Sequence, residues 1–382
     1  MKIAILDTYN PVMDFKDQGQ IIEGLKDLGI DSFFISPKMP NLKTHQPPFL
    51  VISGDLTDVN FWKKVDADVI LFFSRLSPCY TEILKTIKKS GKKVIVKADS
   101  DGTIGYPLVP NYLRILKITR NPIQWLLSNV KWRLPIGYFI IRKLKQIEIV
   151  DKVIIETPEA LNNAVSILRF WKRDNLKEKL CFIPDPISPD IINAKLSIKI
   201  DIIISVGRWE DEPCKNTTAM LKAMTKFLSI HKEYRYCIIG SGEDKILSFV
   251  KNFPEDIRSR IIIKGLVKHQ ELSHLLSQSK IFFAPSNLES FNIAAGEALC
   301  MGCSVVGTPL PNFKYLTADG FSGLITEGFK ISSFVNTLIE DSEKWKNNQY
   351  HQEEIANFWR ERLNRKKIAG EILKICEIIN AY

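Results

Sequence analysis

No apolar run in the 382-residue sequence approaches the ~18 residues that cross a bilayer, so no membrane-spanning helix is expected. The opening stretch MKIAILDTY reads as a short β-strand, not as a secretion signal. Cysteine is sparse and odd in number: Cys79, Cys181, Cys214, Cys237, Cys300, Cys303 and Cys376 are scattered along the chain, which fits a reducing cytosol. Cys300 and Cys303 form a lone C-x-x-C with no second pair to complete a zinc site, and read as buried packing. The first predicted βα turn lacks the three-glycine fingerprint of a dinucleotide site, which disfavours a dehydrogenase. Repeats of solenoid period and low-complexity tracts are also missing.

What is present is ordinary for a globular chain: 45% hydrophobic and 25% charged residues. At this length two domains are expected. Lysine and arginine exceed the acids, 53 against 43, for a net charge of +10. Such a balance suits an anionic partner, whether nucleotide phosphate, nucleic acid or acidic lipid. Lys2 to Asp7 reads as a buried strand and Gly19 to Leu28 as the helix after it, and apolar strands recur at SFFIS, PFLVIS, ADVILFFS and KKVIVKA. The rhythm restarts with DIIISVG, RYCIIG and RIIIKG, each followed by a predicted helix. Alternating strands and helices predict an α/β chain of doubly wound, mostly parallel sheets. The run Ile183-Pro184-Asp185-Pro186-Ile187-Ser188-Pro189, with three prolines in seven residues, reads as the junction between them.

The stretch from Ala284 to Thr308 carries the chemistry. It reads as strand, turn at Asn287-Leu288, helix entered near Ser290 and stopped at Gly302, then strand. Glu289 sits in the turn and Glu297 on the helix flank, beside a helix N-terminus whose unpaired N–H groups and dipole favour a phosphate. Carboxylates accept well from sugar and ribose hydroxyls, so the pattern suits a nucleotide sugar better than a bare nucleotide.

E-S-F-N-I-A-A-G-E-A-L, with seven residues between its glutamates, resembles the paired-glutamate motif of retaining GT-B glycosyltransferases, the glycogen-synthase-like group also known as family 4 or group 1. VGRWEDEPCKN from Val206 and IIGSGED from Ile238 are similar to that family's Gly-Arg-to-Lys segment and glycine loop, and Gly302 with SVVGT to its next turn and strand. The resemblance implies a GT-B fold: two Rossmann-like doubly wound domains facing across a cleft, residues 1–185 on the acceptor side and 186–355 binding the nucleotide sugar, with 356–382 a C-terminal helix crossing back. It implies that Arg208 and Lys215 meet the leaving pyrophosphate, that Glu297 holds the ribose diol and that Glu289 holds a hydroxyl of the donor sugar. Ser290, Phe291, Asn292 and Ile293 would offer backbone N–H groups. Gly207, Gly240, Gly242, Gly265 and Leu266 would line the nucleotide, and Gly19 the first loop. Transfer of a hexose-like sugar with retention, using no metal or other cofactor, is what the family implies. The acceptor would be a polysaccharide, lipopolysaccharide or lipid-linked glycan.

Asp99 and Asp101, after the strand ending at Ala98, stand open to three readings: a divalent-cation pair, the acceptor-side lining of a GT-B cleft, or a polar turn capped by Gly102. The acceptor-side reading places both among the candidate catalytic residues. Residues 107–149 carry eight cations against one acid, interleaved with Tyr112, Trp125, Trp132, Tyr138 and Phe139. That pattern suits a segment resting on anionic lipid, with ordinary helices as the alternative. Nucleic-acid binding has no recognisable module here. Two functional readings follow: an active glycosyltransferase, cytoplasmic and peripheral on the inner membrane face, or a catalytically silent GT-B scaffold that binds nucleotide or a partner protein.

Overall fold

The computed structural model describes residues 1–8, 16–37, 50–74, 80–99, 102 and 136–381. These fall into two compact units, 1–186 with 363–382, and 187–362. Asp101 and residues 107–135 of the basic segment lie outside the described residues.

The first unit is built on a seven-stranded parallel sheet of order β3-β2-β1-β4-β5-β6-β7. Its strands are β1 (Lys2–Asp7), β2 (Asp31–Ser36), β3 (Val51–Ser53), β4 (Val69–Ser74), β5 (Lys93–Ala98), β6 (Lys152–Ile155) and β7 (Leu180–Phe182). Side chains alternate between two cores: Ala4 and Leu6 of β1 join one, Ile3 and Ile5 the other. Both faces are covered, which is why these strands read as unbroken apolar runs. The second core is closed by the helices Asp17–Lys26 and Arg365–Asn380, which contribute Ile21, Ile22, Leu25, Ile368, Ile372 and Cys376. They approach so closely that a Cβ on Gly24 would stand 2.6 Å from the carbonyl oxygen of Arg365.

The second unit repeats the plan with six strands, order β10-β9-β8-β11-β12-β13. They are β8 (Ile200–Arg208), β9 (Arg235–Ser241), β10 (Ile261–Lys264), β11 (Ser279–Ala284), β12 (Ser304–Gly307) and β13 (Gly323–Ile325), all parallel. The strand order reverses between β8 and β11, the position where open α/β sheets bind ligands at the strands' carboxyl ends.

Several expectations change. The tail is two helices, Gln352–Leu363 in the second unit and Arg365–Asn380 in the first. Asn364 breaks the run, because its extended backbone and its Oδ1, which accepts from the N–H of Lys366 at 2.9 Å, restart a helix there. The sequence reading put the unit boundaries at 185/186 and 355/356. Gly19 lies inside the helix Asp17–Lys26 and not in the preceding loop. In the helix Ile136–Ile149, Lys143 is buried beside Leu144 and Ile147, while Arg142 and Lys145 are exposed, so Lys143 does not face a lipid surface. Cys300 and Cys303 are buried free thiols.

Candidate functional site

Two neighbouring loops at the carboxyl edge of the second sheet carry most of the candidate residues. The loop after β8 runs through the short helix Glu212–Lys215 to Asn216, whose left-handed backbone (φ 54°) turns it into the helix Thr217–Ile230. It is fastened to the loop after β11. The N–H of Asn287 donates to the carbonyl of Cys214 at 2.7 Å, and Asn216 Nδ2 donates to that of Pro285 at 3.0 Å. A third link is charged: Lys215 Nζ donates to Glu289 Oε1 at 2.6 Å, with the two side chains only 18% and 10% exposed. Sequence alone would also allow Lys215 to pair with Asp211 or Glu212 in a solvated turn. The pairing found is instead with Glu289, 74 residues away.

Glu289 Oε1 also accepts from Ser286 Oγ at 2.7 Å and from Asn292 Nδ2 at 3.1 Å. The helix starts later than its sequence suggests, at Ile293 and not near Ser290. Asn292 holds a left-handed conformation (φ 71°) and accepts through Oδ1 from the N–H of Ala295, making it the N-cap. Asparagine tolerates this backbone better than other non-glycine residues. Ser290 and Phe291 therefore lie before the helix. The ring of Phe291 is fully buried and its carbonyl accepts from Asn312 Nδ2, so it serves the core as well as the loop.

Glu297 lies one turn into the helix and is 6% exposed. Burial pushes its carboxyl up to about 8. Among the described residues His269 is its cationic neighbour, with Nε2 3.7 Å from Oε1, beyond hydrogen-bonding distance. Arg208, at the end of β8, is 70% exposed along its side chain, with Asp211 3.8 Å away. Gly207 and Gly240 are register partners on β8 and β9, and Gly240 takes φ 125°. A Cβ there would lie 1.8 Å from the carbonyl oxygen of Gly207, so backbone packing alone requires this glycine. Gly242 precedes the helix Glu243–Val250, the carbonyl of Gly265 accepts from the N–H of Gly240, and Leu266 projects into solvent.

The first unit holds a constellation that sequence reasoning missed. Lys97 points from β5 into a fully buried position and donates to Glu156 Oε1 at 2.9 Å and to Asp185 Oδ1. One carboxylate oxygen each of Asp17, Glu156 and Asp185 lie within 4.8 Å of one another, a spacing that suits a cation. Lys97 already supplies one. Burial pulls its ammonium down, but the charges of Asp185 and Glu156 outweigh this and keep it charged. Burial and then Asp185 push Asp17 up to about 7, and burial raises Glu156 and Asp185 against the pull of Lys97. Asp99 is half-buried, its N–H donating to Ser74, and its charge adds to the same field. The junction residue Asp185 is thus a buried structural partner. No signal short of the strand order could have gathered residues 17, 97, 156 and 185.

The family model described as Glycosyl transferases group 1 matches residues 191–358. The phosphatidyl-myo-inositol mannosyltransferase of Mycolicibacterium smegmatis is 27% identical over 122 residues, 32% of this chain and 31% of that protein. The D-inositol 3-phosphate glycosyltransferase of the same organism is 27% identical over 158 residues, 41% of this chain and 36% of that protein. The chain therefore spans about a third of the length of these curated relatives. Solved structures align over its whole length. Sucrose-phosphate synthase from Thermosynechococcus elongatus superposes with TM-score 0.68 at 16% identity, covering 100% of this chain and 99% of that one. The Anabaena protein HepE in complex with UDP gives 0.69 at 13% identity, covering 100% of both. The fold is that of the GT-B glycosyltransferases.

Proposed function

We propose that this chain, whose second unit matches the glycosyl transferases group 1 pattern and whose fold is GT-B, moves a sugar from a nucleotide-diphosphate sugar to a hydroxyl of a polysaccharide, lipopolysaccharide or lipid-linked acceptor. The observation that carries this reading is the pair of unlike carboxylates at one helix end: Glu289 tied to Lys215, and Glu297 buried with no cation among the described residues in hydrogen-bonding reach. A buried carboxyl pushed up to about 8 is short of donors, and a ribose diol supplies two. Binding of a nucleotide should then pull Glu297 back down and release a proton near pH 7.

The departing pyrophosphate gains charge as the glycosidic bond breaks, and Arg208 and Lys215 meet it as fixed cations. Arg208 is exposed and Lys215 is held at the loop edge, so both can reach an incoming diphosphate. The reaction retains the anomeric configuration, with the leaving phosphate taking the acceptor's proton, and runs without a metal. The basic segment 107–149 brings the enzyme to an anionic, cytosolic membrane face. Vesicle flotation tests that last step, and binding that is insensitive to salt would argue against a screened surface attraction.

A panel of nucleotide sugars, scored by thermal shift and by slow hydrolysis of the donor, tests the activity. One donor should raise the melting temperature and be hydrolysed. Stabilisation without hydrolysis or transfer would favour a silent scaffold.

A further inference from the structure

Three donors converge on one oxygen of Glu289. Lys215 Nζ, Ser286 Oγ and Asn292 Nδ2 all reach Oε1, at 2.6, 2.7 and 3.1 Å, and no described residue donates to Oε2. The carboxylate is thus held by one edge and offers the other. The three holders differ in kind. Lys215 is a cation that a diphosphate would compete for, whereas Ser286 and Asn292 are neutral and have no reason to leave. Asn292 is itself fixed, because its Oδ1 caps the helix through the N–H of Ala295 at 3.0 Å. Flipping the amide would set its oxygen against the carboxylate and its NH2 against a backbone N–H, so the network permits one orientation only. The positive φ of 71° at Asn292 completes the constraint.

We propose that Asn292 is a positioning residue for the donor sugar: it locks Glu289 so that Oε2 alone faces a sugar hydroxyl, and keeps it there once Lys215 turns to the diphosphate. The proposal rests on the glycosyltransferase reading. It assigns Asn292 two separable tasks, capping a helix with Oδ1 and orienting Glu289 with Nδ2. Only the second bears on the sugar.

The two tasks come apart in Asn292→Asp. Aspartate tolerates the backbone and caps as well as asparagine, but it has no donor for Glu289 and sets a like charge beside it. Asn292→Gly accepts the backbone and loses both tasks. Each variant is titrated by calorimetry with the free nucleoside diphosphate that binds the wild type, and with the matching nucleotide sugar. For Asn292→Asp the affinity for the free diphosphate should fall clearly less than that for the nucleotide sugar, and the helix cap should hold the melting temperature above that of Asn292→Gly. Affinity for the nucleotide sugar, and kcat/KM for its hydrolysis, should fall by about tenfold, the size of one charge-assisted hydrogen bond. Ser286→Ala should show the same split less strongly. Wild-type sugar affinity in Asn292→Asp would reduce Asn292 to a cap and overturn the proposal. Equal losses for the diphosphate and the nucleotide sugar would overturn it too, by placing the effect on the phosphates. If the wild type binds no nucleoside diphosphate at all, the glycosyltransferase reading itself fails and takes the proposal with it.

Discussion

The two units share one architecture and treat charge in opposite ways. In the second, the charged candidate residues stand at the sheet's edge on loops joined to neighbouring strands: Arg208 is largely exposed, and Lys215 is partly exposed and paired with Glu289. In the first, Lys97 is 0% exposed and is surrounded by Asp17, Glu156 and Asp185. A partly exposed pair can give up a partner to a ligand, whereas a sealed pair can only hold the fold. The cost of breaking each should differ accordingly.

The largest effect is expected in the sealed cluster. Lys97→Met leaves three carboxylates without their cation and should destabilise the chain by about 3–5 kcal/mol in denaturant titration. The loss should shrink on acidification, as the carboxyls take up protons. A change below about 1 kcal/mol would mean that the cluster is held by something other than Lys97.

Next comes Arg208→Ala, which tests the exposed side of the comparison. Turnover should fall by about a hundredfold while the melting temperature stays put, since the charge on the leaving pyrophosphate grows towards the transition state. If only KM rises, Arg208 is a ground-state anchor and its assigned role is wrong.

Glu297 lies between the two extremes, buried like the cluster but, among the described residues, with only His269 Nε2 near it, at 3.7 Å. Its folded-state pKa of about 8 lies above the ordinary carboxylate value. The unfolded chain therefore releases a proton that the native state keeps, and stability falls as pH rises from about 4.5 to about 8. Glu297→Gln should remove that slope, leaving stability near wild type at pH 4 and raising it by up to about 4 kcal/mol at pH 8. Identical pH profiles for the two proteins would show that Glu297 is ionised at neutral pH.

The smallest expected effect is none. Turnover in EDTA should match that in magnesium, because Arg208, Lys215 and the helix end supply the positive field. Activity lost on chelation and restored by magnesium or manganese would require a metal, with Asp99 as one carboxylate to examine.

Legibility in the sequence follows the same division. Apolar runs announced the strands because both faces of each sheet are covered. The candidate site in the second unit stood out in the sequence because its residues lie in short, contiguous motifs after β8 and β11. The helix start was misplaced by three residues, since Ser290 and Asn292 are both favoured N-cap types and only the left-handed backbone at Asn292 decides between them. Asn364 hid a second break, being an N-cap inside an otherwise periodic run. The Lys97 cluster was illegible because its members meet only through strand order. So was the network around Ser304. Its Oγ donates to Asp341 Oδ2 at 2.5 Å and accepts from Trp345 Nε1 at 2.9 Å, while Tyr350 donates to Asp341 Oδ1 at 2.8 Å.

The central claim is that the edge of the second sheet binds a nucleotide diphosphate through Glu297 and its neighbours. Calorimetric titration of the free nucleoside diphosphate into wild type and Glu297→Ala, in two buffers of different ionisation enthalpy, tests it most directly. The wild type should bind with proton release near pH 7, and the variant should bind about 1–3 kcal/mol more weakly with that release abolished. Unchanged affinity and unchanged proton release in Glu297→Ala would contradict the claim and return Glu297 to the structural interior of its helix.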